Sequence, residues 1–299
     1  MVKFRVSRLA STSILARNPG FAANASLRRN LKSVLLCGAL AMAGLAQAGS
    51  LTVTASGASA DLSLNGKGIQ DGFVFSPTIA ADTTNYNLRA AAVSAGWDGT
   101  RNLTANITIN SGVVVSANNT AIPAFDTGTG FPGGATITLI NKGYIIGMGG
   151  KGSSPSTNWP GEFSARNGGP ALNAQYAMSV VNTGLIGGGG GGGAGGCGNE
   201  GGGGGGGQTG RTDSYGGSGF RADYFPAPPP GPDGFPGTFS APGAGGGYGD
   251  SRDGGLGGVW GEPGSRSACL TSFGAGGAAV TGNGHINWTA TGTRLGAIN

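Results

Sequence analysis

The sequence holds one histidine, His285, and its carboxylates stand singly along the chain. One imidazole excludes a multi-histidine metal site, and a Ser–His–Asp arrangement would have to use this residue. Its setting, Asn283-Gly284-His285-Ile286-Asn287, reads as a strand or turn. Isolated acids offer no carboxylate pair for glycoside hydrolysis. Lys151-Gly152-Ser153 resembles the end of a phosphate loop, but the glycine spacing fails and no helical pattern follows. Tyr248-Gly249-Asp250-Ser251-Arg252-Asp253-Gly254 is a faint, unrepeated echo of a calcium-binding nonapeptide. The reading nominates no catalytic residue, no metal ligand and no cofactor, and it is that of a non-enzyme.

Cysteine is the other reactive side chain. The three are Cys37, Cys197 and Cys269. Cys37 lies in an apolar run, Val34 to Leu45, which follows a basic, acid-free region and ends in Ala46-Gln47-Ala48. A basic stretch, a short apolar stretch and an A-x-A site predict an export signal over residues 1–48, cleaved after Ala48. The apolar run is short for a membrane span, so no transmembrane segment is expected after cleavage. The predicted location is secreted or on the bacterial cell surface. There Cys197 and Cys269 invite one disulfide. In the chain-entropy model, closing a loop of about 70 residues contributes ~4 kcal/mol. Two free buried thiols are the alternative.

Charge excludes another class. The formal net charge of +5 comes from the leader, which carries Lys3, Arg5, Arg8, Arg17, Arg28, Arg29 and Lys32 and no acid. Removing those seven from the 18 Lys and Arg leaves 11 against 13 Asp and Glu. No basic patch survives to bind nucleic acid.

The elements that must position any binding group are β-strands. Leu103, Ala105, Ile107 and Ile109 alternate with Thr104, Asn106, Thr108 and Asn110, the period of a half-buried strand. A similar pattern runs from Thr136 to Ile146, with turns at Asn110-Ser111-Gly112 and Asn141-Lys142-Gly143. Asn85 to Ala95 is the one short helix candidate. Residues 138–152 and 179–193 align as strand, Asn-x-Gly turn, apolar residues, then glycines, which suggests a solenoid-like or layered arrangement. Strand character returns from Ala279 to Ile298.

Glycine dominates the rest. It supplies 66 of 299 residues, far above the usual ~7%. Gly187–Gly193 and Gly201–Gly207 are unbroken runs. Such a segment is either a flexible tether or a structure made of backbone alone. Sparse Ser, flanking strands and the cysteine pair favour the second: polyglycine-II strands side by side, whose mutual hydrogen bonds replace a core. The expected fold class is mainly β, a short-strand β domain followed by a polyglycine-II-like bundle, with little or no helix after the leader. The expected divisions are a signal over 1–48, a β-rich domain over 49–186, a glycine-rich region over 187–267 and a closing β segment over 268–299.

Residues 85–100 (NYNLRAAAVSAGWDGT), 124–152 (AFDTGTGFPGGATITLINKGYIIGMGGKG), 168–196 (GGPALNAQYAMSVVNTGLIGGGGGGGAGG) and 280–299 (VTGNGHINWTATGTRLGAIN) together resemble the receptor-binding tips of tailed-phage tail fibres and tail-tip host-specificity proteins. The resemblance spans roughly 75–299. It implies a sandwich of polyglycine-II helices whose loops recognise a cell-surface protein or glycan. The leader departs from the phage pattern and points to an exported bacterial protein using such a domain. A true fibre tip is the alternative, as is a structural matrix, filament or ice-contacting protein. Tyr215, Phe220, Tyr224, Phe225, Phe235, Phe239, Tyr248 and Trp260 are the candidate receptor contacts, since aromatics give rigid contact area at low entropic cost. The opposing reading is that they shield the glycine bundle. Homo-oligomerisation is compatible with the sequence, although no heptad or collagen run enforces it.

Overall fold

The alternation in Leu103–Ile109 is realised as drawn: Leu103, Ala105, Ile107 and Ile109 are fully buried, while Thr104 and Asn106 face outward. The computed structural model describes residues 51–56, 59–64, 67–68, 72–153, 164–197, 204–210, 233–247, 253–268 and 270–299. The expected leader lies outside these residues. The chain divides into two units, Met1–Asp71 and Gly72–Asn299. In the first, β1 (Leu51–Ser56), β2 (Ser59–Leu64) and β3 (Lys67–Gly68) form an antiparallel sheet in chain order.

The second unit is a parallel β-solenoid with three faces. The first coil holds β4 (Phe73–Phe75), β5 (Thr78–Ile79), β6 (Thr83–Thr84) and β7 (Tyr86–Asn87). Then come β8 (Leu103–Ile109), β9 (Val114–Ser116) and β10 (Phe125–Asp126); β11 (Thr136–Asn141), β12 (Tyr144–Ile146) and β13 (Leu172–Asn173); and β14 (Met178–Asn182), β15 (Leu185–Gly187) and β16 (Val280–Thr281). β17 (Ile286–Ala290) and β18 (Thr293–Leu295) close the stack. The faces are β4-β8-β11-β14-β17, β6-β9-β12-β15-β18 and β7-β10-β13-β16. The repeat seen in the sequence is the register: Thr138 pairs with Ser179 and Tyr144 with Leu185.

Inward residues of successive coils form one core. Ile107, Leu139 and Val180 stack on the first face, and Ile145 and Ile186 on the second, all fully buried. Each such side chain stabilises by about 1.5–3 kcal/mol on burial. At the corner between these faces, the Asn-x-Gly turns stack as well. Asn141 Nδ2 donates to Asn182 Oδ1 at 2.8 Å, and Asn182 Nδ2 donates to the Thr291 carbonyl at 2.7 Å. Buried amides paired this way fix the register of the coils.

The expected helix is α1 (Leu88–Ser94). Asn87 caps it, its side chain accepting from Ala90 N at 2.8 Å. Gly96, at φ +102°, ends it in the left-handed region. Among the described residues no helix is long and apolar enough to cross a membrane.

Candidate functional site

The two longest insertions leave the solenoid at one corner, between its second and third faces. The link from Ser116 to Phe125 is short; the next, Ile146 to Leu172, is longer; the last runs from Gly187 to Val280. Stacked coils therefore feed glycine segments side by side into one place, and those segments form a lattice.

Strand 188–194 is its centre. Gly189 and Gly192 donate to the carbonyls of Gly169 and Arg166; Gly190 and Gly193 to Gln208 and Gly205; Gly191 and Ala194 to Glu262 and Ser265. In return, the carbonyls of Gly189 and Gly192 accept from Gly277 and Gly274; those of Gly190 and Gly193 from Gly150 and Ser153; those of Gly188, Gly191 and Ala194 from Gly261, Gly258 and Gly255. These bonds are 2.7 to 3.0 Å long. Every third residue addresses the same neighbour, the three-residue turn of a polyglycine-II helix, and one strand is bonded to six others. Nearly every backbone group here is spent on a neighbour, which is how a coreless segment satisfies its buried polar atoms.

Such spacing tolerates almost no side chains. A Cβ on Gly189 would collide with the Met148 carbonyl, and one on Gly192 with that of Lys151. Among the described residues, the few side chains buried in the lattice are small or polar, such as Ala194, Ser153, Gln208 and Thr209, and the exposed apolar ones stand at its rim.

Of the eight candidate contacts, Tyr215, Phe220, Tyr224, Phe225 and Tyr248 lie outside the described residues, as does Cys269. Phe235 is 62% exposed. Its backbone is pinned by Gly206 N donating to its carbonyl and by its own N–H donating to Ala244. Phe239 and Trp260 are half-buried and meet edge to face, with centroids 5.1 Å apart. Phe239 also packs on Tyr144 of β12 at 5.3 Å, and Trp260 Nε1 donates to the Thr209 carbonyl at 3.3 Å. These two seat the lattice on the solenoid wall. Lys151, Gly152 and Ser153 are lattice residues, and His285 ends a 3-10 turn, Asn283–His285.

The sequence reading missed the apolar residues that join Phe235 on the surface: Leu256 at 57% and Phe273 at 41% exposure. The available signal was a single aliphatic residue between glycine pairs, Gly254-Gly255-Leu256-Gly257-Gly258, where no core exists to receive it.

Comparison with known proteins agrees with this architecture. A family model described as phage tail fibre adhesin Gp38 matches residues 74–299. No curated protein matches. The chain is similar to the crystal structure of the gp37-gp38 adhesin tip complex of the bacteriophage S16 long tail fibre, with 26% identity and a TM-score of 0.56 over 76% of this chain and 82% of that one. With the match covering the solenoid and the glycine lattice alike, this chain belongs to the Gp38 family of phage tail fibre adhesins.

Proposed function

We propose that the chain binds a cell-surface protein or glycan through the rim of its glycine lattice, and that its role is recognition rather than catalysis. One observation carries this reading: in an adhesin-family chain, Phe235, Leu256 and Phe273 stand exposed on segments bonded into the lattice, Phe235 through Gly206 and Ala244, Leu256 through Ser265, and Phe273 beside Gly274, which bonds to Gly192. Apolar side chains held outward on a rigid support give contact area without an ordering cost on binding. Tyr215, Phe220, Tyr224, Phe225 and Tyr248 extend that surface in our reading, whereas Phe239 and Trp260 hold the support in place. The test is binding of labelled protein to a panel of bacterial cells. Replacing Tyr215, Phe220, Tyr224 and Phe225 by serine should weaken saturable binding at least about tenfold with an unchanged circular dichroism spectrum. Unchanged binding would sink the assignment.

The related gp38 is seen in complex with gp37. By extension, we propose a fibre protein as the second partner of this chain. We also propose that residues 1–48 direct export, with a mature N-terminus at Gly49 and a location outside the cytoplasm. The functional divisions we propose are the β-rich 49–186, the glycine-rich 187–267 and the closing 268–299.

The lattice register supports the proposed Cys197–Cys269 bridge. Gly191 addresses Glu262 and Ala194 addresses Ser265, so the two strands run parallel, and Ser267 Oγ donates to the Gly195 carbonyl at 2.6 Å. Extended by three residues, the same register would set Cys197 opposite Ala268, the residue before Cys269 in sequence. Mass spectrometry of non-reduced, proteolysed protein should give one peptide pair joined through these cysteines, and separate thiol peptides would refute it.

A further inference from the structure

We propose that a cleft on the third face of the solenoid binds a carboxylate-bearing saccharide, at a place separate from the glycine lattice. The cleft has a volume of about 490 Å³ and is lined by Asn87, Arg89, Asp126, Gly128, Gly130 and Gln175 among others. That is within the usual range of ~300–1,000 Å³ for small-molecule sites.

Its floor is a polar ladder built by the coil register. Asn87, Asp126, Asn173 and Thr281 end β7, β10, β13 and β16 and pair across the third face. Asn173 Nδ2 donates to Asp126 Oδ1 at 3.1 Å, and Thr281 Oγ1 donates to Asn173 Oδ1 at 2.8 Å. Asp126 Oδ1 also accepts from Gly128 N at 3.1 Å and Gln175 Nε2 at 2.7 Å. Among the described residues, Asp126 Oδ2 accepts only from Asn87 Nδ2, at 3.1 Å. A carboxylate oxygen has room for a second donor, so Oδ2 retains one acceptor position. The Gln175 carbonyl oxygen retains its own, because that amide is turned nitrogen-first toward Asp126.

Above this floor sits Arg89. Its guanidinium lies 5.8 Å from the centroid of the Trp97 ring, and its backbone N–H donates to the Thr127 carbonyl at 3.2 Å. Its Nε is buried without a hydrogen-bond partner, and no carboxylate among the described residues forms an ion pair with it. A buried guanidinium nitrogen left unpaired is costly. Arg89 itself lines the cleft, and a ligand carboxylate there would meet its guanidinium charge through charge-assisted bonds. Gly128 and Gly130, at φ +75° and +77°, fold the next loop against the Arg89 side chain, and a Cβ at Gly128 would press on Arg89 Cβ at 3.0 Å.

The site thus offers one cation over a ring, two open acceptors and a wall of Gly128, Thr129 and Gly130. A carboxylate meets the cation, and hydroxyls meet the acceptors. A phosphate dianion would face Asp126 with no hydroxyl to donate, and a neutral sugar would leave Arg89 unpaired. Acidic capsule residues and acidic lipopolysaccharide core sugars share this chemistry.

The experiment is a ¹⁵N NMR titration of the whole chain with methyl glucuronide, methyl glucoside and inorganic phosphate. Glucuronide should saturate near about 1 mM and shift the Trp97 indole and the Gly128 and Gly130 amides. Glucoside and phosphate should bind at least about tenfold more weakly. Arg89→Gln should remove the preference for glucuronide over glucoside. Gln175→Ala, at an exposed position, should weaken glucuronide several-fold and serves if the first variant misfolds. Capsular polysaccharide and core oligosaccharide as larger probes separate the two sources. Shifts confined to other residues, equal binding of phosphate, or no response to glucuronide would each overturn the site. The titration uses free saccharide, so it is independent of the lattice-rim reading: a Phe235→Ser variant should titrate as the parent does.

Discussion

The carbonyl oxygen of Gly258 occupies the place where a Cβ of Gly190 would stand. These two residues belong to lattice strands bonded to one another through Gly258 N and the Gly191 carbonyl at 2.8 Å. The strands cannot separate without breaking bonds to the other neighbours. Gly190→Ala should therefore destabilise by about 1–3 kcal/mol or more, as overpacked cores do. Gly133→Ala, where nothing lies within 4 Å of the added atom, should stay within about 0.5 kcal/mol. Thermal unfolding of both variants checks the contrast; equal effects would mean that the lattice is loose.

The Asn141–Asn182 pair is buried, with the two side chains 0% and 1% exposed. Asn182→Ala removes the shorter-bonded of the two acceptors of Asn141, leaving the Leu185 carbonyl at 3.3 Å, and with it the donor to the Thr291 and Thr293 carbonyls. A loss of about 1–3 kcal/mol per group left unsatisfied is expected in urea unfolding. A near-neutral result would place the register in the apolar stacking alone.

Tyr86 stacks on Phe125 with centroids 5.2 Å apart, and its hydroxyl is buried without a partner. Burial pushes its pKa up to about 12. The folded value is above the unfolded one, near 10, so the stability tied to the neutral phenol is present below about pH 10 and fades as pH rises through the folded value. Tyr86→Phe should abolish that alkaline loss. At neutral pH it should change stability by no more than about 1 kcal/mol, since the unpaired hydroxyl goes and the stack remains. Melting curves at neutral and alkaline pH test both halves.

Asp98 accepts from the backbone N–H groups of Arg101 at 3.0 Å and Thr100 at 2.9 Å, and its other oxygen meets Arg101 Nε at 2.9 Å. Those backbone donors, with the Arg101 charge adding to them, hold its carboxyl well below the usual range. A depressed acid stabilises above its unfolded value of about 3.9 and loses that contribution as pH falls through the folded one. The Arg101 and Thr100 amide shifts should accordingly show no inflection at about pH 4, and only begin to move below it. Asp98→Asn should flatten that acid response. The turn also holds the Trp97 indole, whose Nε1 donates to the Arg101 carbonyl at 2.8 Å.

Much of the solenoid was legible because side chains with period 2 report which face is buried. Leu103 to Ile109 fell as read, and the match of residues 138–152 to 179–193 is the pairing register itself. The helix after Asn87 could be read from its alanines and its cap. Polyglycine announces close packing but not neighbours: nothing in Gly188 to Gly193 says that residues 166, 205, 262, 274, 150 and 258 surround it. Topology decides that, through insertions leaving one corner. The cleft was hidden for a similar reason. Asn87, Asp126 and Gln175 come from three different coils, and only stacking places them around Asp126.

The proposed contact surface is the lattice rim. The most direct test is the cell-binding isotherm of a Phe235→Ser, Leu256→Ser variant beside the parent chain. Neither side chain holds the fold, as both are more than half exposed. An unchanged melting temperature and a loss of apparent affinity of at least about tenfold are expected. Parent-like binding by a folded variant would contradict it and move the contact surface off these strands.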